Sequence, residues 1–138
     1  MPGAWHFIHG HSGHIEDKEP ILWTQCKGWG LCFYLRDNTH TWLHYAVPSF
    51  ALFNWRVDLL QLKLSVGQFG KVSETDLWDG NVRLWQKSVD FTQGETDSMV
   101  SLGQEWEIFH AVGVSLKVEA NGGDANFNIY AIGANFRQ

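Results

Sequence analysis

The chain has 138 residues, of which 44% are hydrophobic, 14% aromatic and 18% charged. That length suits one domain, residues 1–138, around one core, and the apolar share excludes a disordered chain. The formal net charge is −5 with lysine and arginine scattered, so there is no basic patch of the kind that nucleic-acid phosphates or anionic membrane surfaces call for.

No apolar run approaches the roughly 20 residues a membrane helix needs. No basic segment followed by an apolar stretch marks a secretory leader. With Met1 at the start, the expected location is cytoplasmic, and a secreted form stripped of its leader would read the same way.

A first strand is expected over residues 4–9. It runs into the densest chemistry of the sequence, four histidines within nine residues: His6, His9, His11 and His14. Neutral imidazole is the commonest metal ligand, and a His-x-His step on a strand sends both rings to one face. That spacing keeps His9 and His11, with Glu16 after them. It sets aside His6, which is out of phase, and His14, which lies beyond two glycine-interrupted steps.

Strands follow at 21–25 and 29–35. Cys26 and Cys32 bracket the Gly28-Trp29-Gly30 turn and read as two buried thiols. They lack the Cys-x-x-Cys spacing of zinc or redox sites, and a disulfide would need suitable geometry and an oxidising compartment. The strand at 41–47 ends at Pro48, which cannot donate to a ladder. It puts His40, Trp42 and His44 on one face, a mixed aromatic and imidazole patch suited to a ligand.

Residues 55–66 alternate, but the phase slips. Trp55, Val57 and Leu59 share one face, while Leu60, Leu62, Leu64 and Val66 share the other. A β-bulge or bend at Leu59-Leu60 is predicted. Asp58 lies within this apolar run, either solvated at a sheet edge or lining a cavity wall, where its pKa would rise and suit proton exchange.

Trp78-Asp79-Gly80-Asn81 is a turn signal before a strand at 82–89, and residues 93–98 read as a polar loop. The run 108–119 alternates cleanly, with His110 on the apolar face among Ile108, Val112 and Val114. Asn121-Gly122-Gly123-Asp124 supplies positive-φ residues, which predicts a hairpin to the strand at 127–136. No helix longer than two turns is visible. Around eight strands with polar turns predict an all-β fold, a single antiparallel β-sandwich of jelly-roll type.

Several segments together are familiar in order and spacing: His9-Gly10, Gly28-Trp29-Gly30, Trp42-Leu43-His44-Tyr45-Ala46-Val47-Pro48, Trp78-Asp79-Gly80-Asn81, Val112-Gly113-Val114-Ser115 and Ala134-Asn135-Phe136. They resemble a family of small bacterial β-sandwich domains with no assigned function. The resemblance implies the all-β fold and carries no catalytic residues. Separately, Gly3, His9-x-His11 and Glu16 match the spacing of the first half of the cupin metal motif. That likeness implies a divalent metal held by His9, His11 and Glu16, with His44 or His110 as a further imidazole. The second half of the motif is absent.

Eight tryptophans cannot all lie deep in one small core. Trp78 and Trp85, flanking a turn, are expected to be the exposed pair, and exposed indoles pack on sugars and apolar ligands. No Walker or Rossmann glycine loop and no Gly-x-Ser-x-Gly elbow is present. Three functions stay open. The first is a non-catalytic ligand-binding domain, lectin-like, taking a glycan or small molecule through His40, Trp42, His44, Trp78 and Trp85. The second is a small metalloenzyme using the His/Glu set, with Asp58 or His110 as acid or base. The third is a self-assembling homo-oligomer.

Overall fold

The computed structural model describes residues 3–48 and 55–138. Among them the chain runs β1 (Ala4–His9), β2 (His14–Ile15), β3 (Ile21–Lys27), β4 (Gly30–Leu35) and β5 (Thr39–Val47). It continues as β6 (Arg56–Val66), β7 (Gly70–Asp79), β8 (Val82–Phe91), β9 (Gly94–Glu107), β10 (Val112–Ala120) and β11 (Ala125–Arg137). The helical element among the described residues is the three-residue 3-10 turn Gly10–Ser12.

Two antiparallel sheets face each other. One has the order β3-β4-β11-β6-β9, with β1 paired beside the second half of β11; the other has the order β2-β5-β10-β7-β8. This is the jelly-roll β-sandwich that the alternating strands predict. On β10, Val112, Val114, Leu116, Val118 and Ala120 point inward and are buried. On β6 the inward set is Leu60, Leu62, Leu64 and Val66. Phe33 and Phe127 stack across neighbouring strands with ring centroids 5.1 Å apart. Truncating one such leucine to alanine costs about 2–5 kcal/mol, through lost transfer energy and the cavity left behind.

The phase slip in 55–66 is a bulge. Against β11, Leu59 and Val57 oppose the consecutive residues Asn135 and Phe136, so Asp58 is the extra residue; against β9 the surplus lies on β9, where Ser101 and Trp106 face Leu59 and Val57. Asp58 is not at an edge: β6 lies between β11 and β9, and the carboxylate accepts from Asn135 Nδ2 at 2.9 Å and from Arg137 Nε. It is a paired structural carboxylate, which removes it as an acid–base candidate.

The predicted hairpin of the last two strands does not form. β10 and β11 lie in opposite sheets, and each already has neighbours on both sides, so the 121–124 turn carries the chain across the sandwich. The polar stretch 93–98 is not a loop either. It enters β9, whose polarity suits a sheet edge: Gln61 donates to Asp97 at 2.6 Å across the β6–β9 pair. The strand β7 has no counterpart in the sequence reading, because Ser73-Glu74-Thr75-Asp76 masks its alternation. Cys26 and Cys32 are both free, one exposed and one buried. Their register partners are Leu31 and Gln25, so they fall on opposite faces.

The start of the chain crosses between sheets through the 3-10 turn, and the crossing is tight. A Cβ on Gly10 would lie 1.7 Å from the Ile129 carbonyl oxygen, and one on Gly13 would lie 2.4 Å from the Tyr45 ring. Only glycine fits at either place. Tyr45 Oη donates to Gly10 O at 2.8 Å, and burial raises the Tyr45 pKa. This contact delivers Ser12, His14 and Glu16 to the outer face of the five-stranded sheet.

Candidate ligand groove

The register of the five-stranded sheet lines up a polar row across its outer face. His14 on β2 opposes His44 on β5, His44 opposes Ser115 on β10, Ser115 opposes Asp76 on β7, and Asp76 opposes Gln86 on β8. The next row toward the sandwich end is Ala46, Gly113, Trp78 and Arg83. Ala46 and Gly113 leave the floor low beside the indole. The result is a groove of about 560 Å³, walled on one side by Ser12, His14 and Glu16 and on the other by Trp78, Gly80 and Asn81.

The polar groups of the groove are pre-ordered. His44 Nε2 is 2.9 Å from Glu16 Oε1, and His44 Nδ1 is 2.7 Å from Ser115 Oγ. A carboxylate only accepts, so Nε2 carries a proton; in the neutral ring Nδ1 then accepts from Ser115. Both faces of the imidazole are thus fixed. Further along the row, burial pushes Asp76 up to about 7; the Glu74 hydrogen bond and charge add to this, and Arg83 opposes it. Asp76 Oδ1 and Trp78 Nε1 are buried without a hydrogen-bond partner among the described residues. Each such buried, unpaired polar atom is costly.

The far wall is clamped. β7 and β8 join through the two-residue turn Gly80-Asn81, with Gly80 at φ 57 at the first central position, as a type II′ hairpin requires. Asp79 accepts from the backbone N–H groups of Phe109, His110 and Ala111 at 2.9, 2.8 and 3.0 Å. Burial alone would raise its pKa, but these three donors and the nearby His110 hold it below the ordinary value. His110 is therefore not on an apolar face. It lies in the exposed turn between β9 and β10, Nδ1 3.8 Å from Asp79, and its main-chain N–H holds that turn closed.

The His/Glu metal set does not assemble. β1 ends at His9 and the chain turns into the 3-10 segment, yet the His9 and His11 rings still lie together, centroids 4.0 Å apart. His9 Nδ1 accepts from the His11 backbone N–H at 3.2 Å, and its Nε2 donates to Gly28 O at 2.8 Å. Both its nitrogens bind the chain itself. Glu16 and His44 do meet, but away from that pair. Among the described residues no group of three His, Cys, Asp or Glu is placed to hold a metal ion.

Of the ligand residues expected from the sequence, His44 and Trp78 line the groove. Trp42 is half-buried on the same face, two residues along β5. Trp85 is not exposed: it opposes Leu77 and packs against the core. The exposed indoles are Trp23 and Trp29 on the other sheet. His40 lies at the far end of the sandwich, in a second cavity. Sequence reasoning missed Ser115, Asp76, Ser12, Asn81 and Gly113. Gly113, a residue without a side chain on the outward face of the 108–119 alternation, was the one visible signal.

No protein-family model matches the sequence, and no curated protein matches it. Solved structures do. A family 29 carbohydrate-binding module superposes with a TM-score of 0.60 at 5% identity, over 98% of this chain and 90% of that one. A family 29 module complexed with cellohexaose gives 0.58 at 9%, over 98% and 92%. The C-terminal family 6 module of a marine laminarinase from Zobellia galactanivorans gives 0.52 at 17%, over 98% and 100%. At such identities the likeness is one of architecture, and this chain has the jelly-roll β-sandwich fold that these carbohydrate-binding modules have.

Proposed function

We propose that the chain binds a glycan in the groove on its five-stranded face. One observation carries this: a tryptophan wall faces a row of pre-ordered hydrogen-bonding side chains across a low floor. Sugars present apolar C–H faces beside hydroxyl edges. Trp78 suits the first, and His14, Asn81 and the Glu16 carboxylate that His44 orients suit the second. The cellohexaose complex of a protein with this fold supports the reading. The Glu16–His44–Ser115 order also resembles a hydrolytic relay. However, Ser115 lies mid-strand between β5 and β7, whose ladders use the neighbouring backbone N–H groups, leaving none for an oxyanion. Binding is the better account.

Calorimetric titration with cello-, xylo- and galacto-oligosaccharides tests it. Trp78→Ala is expected to weaken the best ligand by about 2 kcal/mol, roughly thirtyfold. Unchanged affinity in a folded Trp78→Ala protein would sink the groove reading.

A further inference from the structure

The opposite end of the same face holds a second cavity, of about 420 Å³, lined by Asn38, Thr39, His40, Phe69, Lys71, Glu119, Ala120 and Asn121. Its chemistry is ordered by the sheet: His40 on β5, Glu119 on β10 and Lys71 on β7 form one cross-strand row. A carboxylate acceptor thus lies between an imidazole and an ammonium. Along β5, four residues separate this row from His44, about 13 Å at the rise of an extended strand. Trp42, Lys117 and Glu74 form the row between.

Phe69 is the unusual element. The Gly70 N–H donates to Gly67 O at 3.2 Å, closing a turn over residues 67–70, and Phe69 occupies its third position at φ 71. A positive φ at that position defines a type II turn, where glycine or asparagine is expected and a bulky side chain is strained. Asn38, across the cavity at φ 58, is a residue type that tolerates the conformation. Phe69 is not. Nor does the core need its ring, which is 45% exposed.

The surroundings nevertheless hold it firmly. Phe69 O accepts from the Asn121 N–H at 3.0 Å, and a Cβ on Gly123 would lie 2.4 Å from its ring. The Gly122 N–H in turn donates to Asp37 at 2.9 Å, and the Asp37 N–H donates to Asp124 at 3.0 Å. Three loops are tied together so that one aromatic ring stands at the rim of a polar cavity. Strain kept at a ring that the core does not bury points to a contact made at the rim.

We propose that this cavity is a second saccharide site, with the Phe69 ring as stacking platform and His40, Glu119, Lys71 and Asn121 binding hydroxyls. It rests on the glycan reading of the groove for the ligand class, but its residues are distinct from those of the groove.

Two measurements test it. Phe69→Asn keeps the turn geometry, so its unfolding midpoint is expected to stay within about 4 °C of the parent. A larger fall would make the ring a structural part and overturn the proposal. The second is a titration of isotope-labelled protein with cello-, xylo- and galacto-oligosaccharides, followed by amide shifts in the parent, in Trp78→Ala and in Phe69→Asn. The expected result is that Asn38, Phe69, Ala120 and Asn121 respond in the parent and in Trp78→Ala, with affinity at these positions reduced tenfold or more in Phe69→Asn. Response confined to the groove overturns this site and leaves the groove reading standing. Response confined to the cavity does the reverse, and silence at both removes both.

Discussion

The two outer faces of the sandwich carry aromatic side chains in opposite ways. On the five-stranded face, Trp42 and Trp78 are half-buried and flank a polar row whose imidazole is hydrogen-bonded at both nitrogens. On the six-stranded face, Phe7, Trp23, Trp29 and Tyr34 stand exposed. They pair with other rings: Trp23 with Tyr34 at 6.1 Å, Trp29 with Tyr130 at 5.8 Å and Phe7 with Trp5 at 5.7 Å. The asparagines between them are engaged with each other and with the chain, Asn128 donating to Asn126 at 3.0 Å and Asn126 to Phe33 O at 3.2 Å. A ring held beside fixed polar groups discriminates between ligands, whereas rings with only one another for company make an adhesive surface.

The sharpest way to break this comparison is to fill the groove. Gly113→Leu puts a side chain on its floor, where a Cβ already meets Trp78 Cβ at 3.4 Å. Glycan affinity is expected to fall by about 3 kcal/mol or more, roughly a hundredfold. Trp23→Ala should leave the same calorimetric titration unchanged. Equal losses in the two variants would mean that the ligand takes the other face.

Asp79→Ala removes the acceptor for three backbone N–H groups and frees the hairpin wall. Charged hydrogen bonds of this kind predict a stability loss of about 2 kcal/mol by urea unfolding. Because the Asp79 pKa is held below its ordinary value, the stability it contributes is present at neutral pH. It disappears as pH falls through the native-state value.

Asp76 gives the opposite sign. Raised from an ordinary 3.8 to about 7, it lets the folded protein hold more protons than the unfolded chain across that interval. Its contribution is therefore complete below about pH 4 and lost as pH rises toward 7. Urea midpoints measured from pH 4 to 8 should show this fall in the parent and a flatter profile in Asp76→Asn. A parallel profile in the variant would dissociate the pH response from the groove.

The smallest expected effect on stability is on the six-stranded face. Trp23→Ser combined with Trp29→Ser should change stability by no more than about 0.5 kcal/mol per site, since both rings are exposed. Sedimentation at high concentration should show less self-association than in the parent. No change there would mean that this surface is inert.

The fold was legible where one face of a strand is buried and the other solvated. β5, β6 and β10 read directly from their alternation, and the slip at Leu59-Leu60 marked a bulge before any geometry was known. Legibility failed where partners decide. β9 reads as polar because it is an edge, and the 121–124 turn looks like a hairpin because local turn chemistry does not say which sheet receives the next strand. The site shows the same division. His44 and Trp42 share a face because side chains on a strand alternate. The meeting of Glu16, His44 and Ser115 comes from cross-strand register between distant segments, which no spacing in the sequence encodes. His9 and His11 do meet, as their spacing suggests, but both His9 nitrogens are engaged by backbone that is distant or turned, which spacing does not encode.

The pairing of β1 with the second half of β11 sets a schedule. Ala4 is matched to Phe136 and His9 to Ala131, so β1 finds its neighbour only after β2 to β10 and β11 itself have been made. Such distant closure is slow, because its chain entropy is lost before the contact rewards it. Until then, Ile8, which packs against the core in the finished fold, has no cover in a growing chain. Aggregation during synthesis, rather than failure of the finished fold, is the hazard this arrangement builds in.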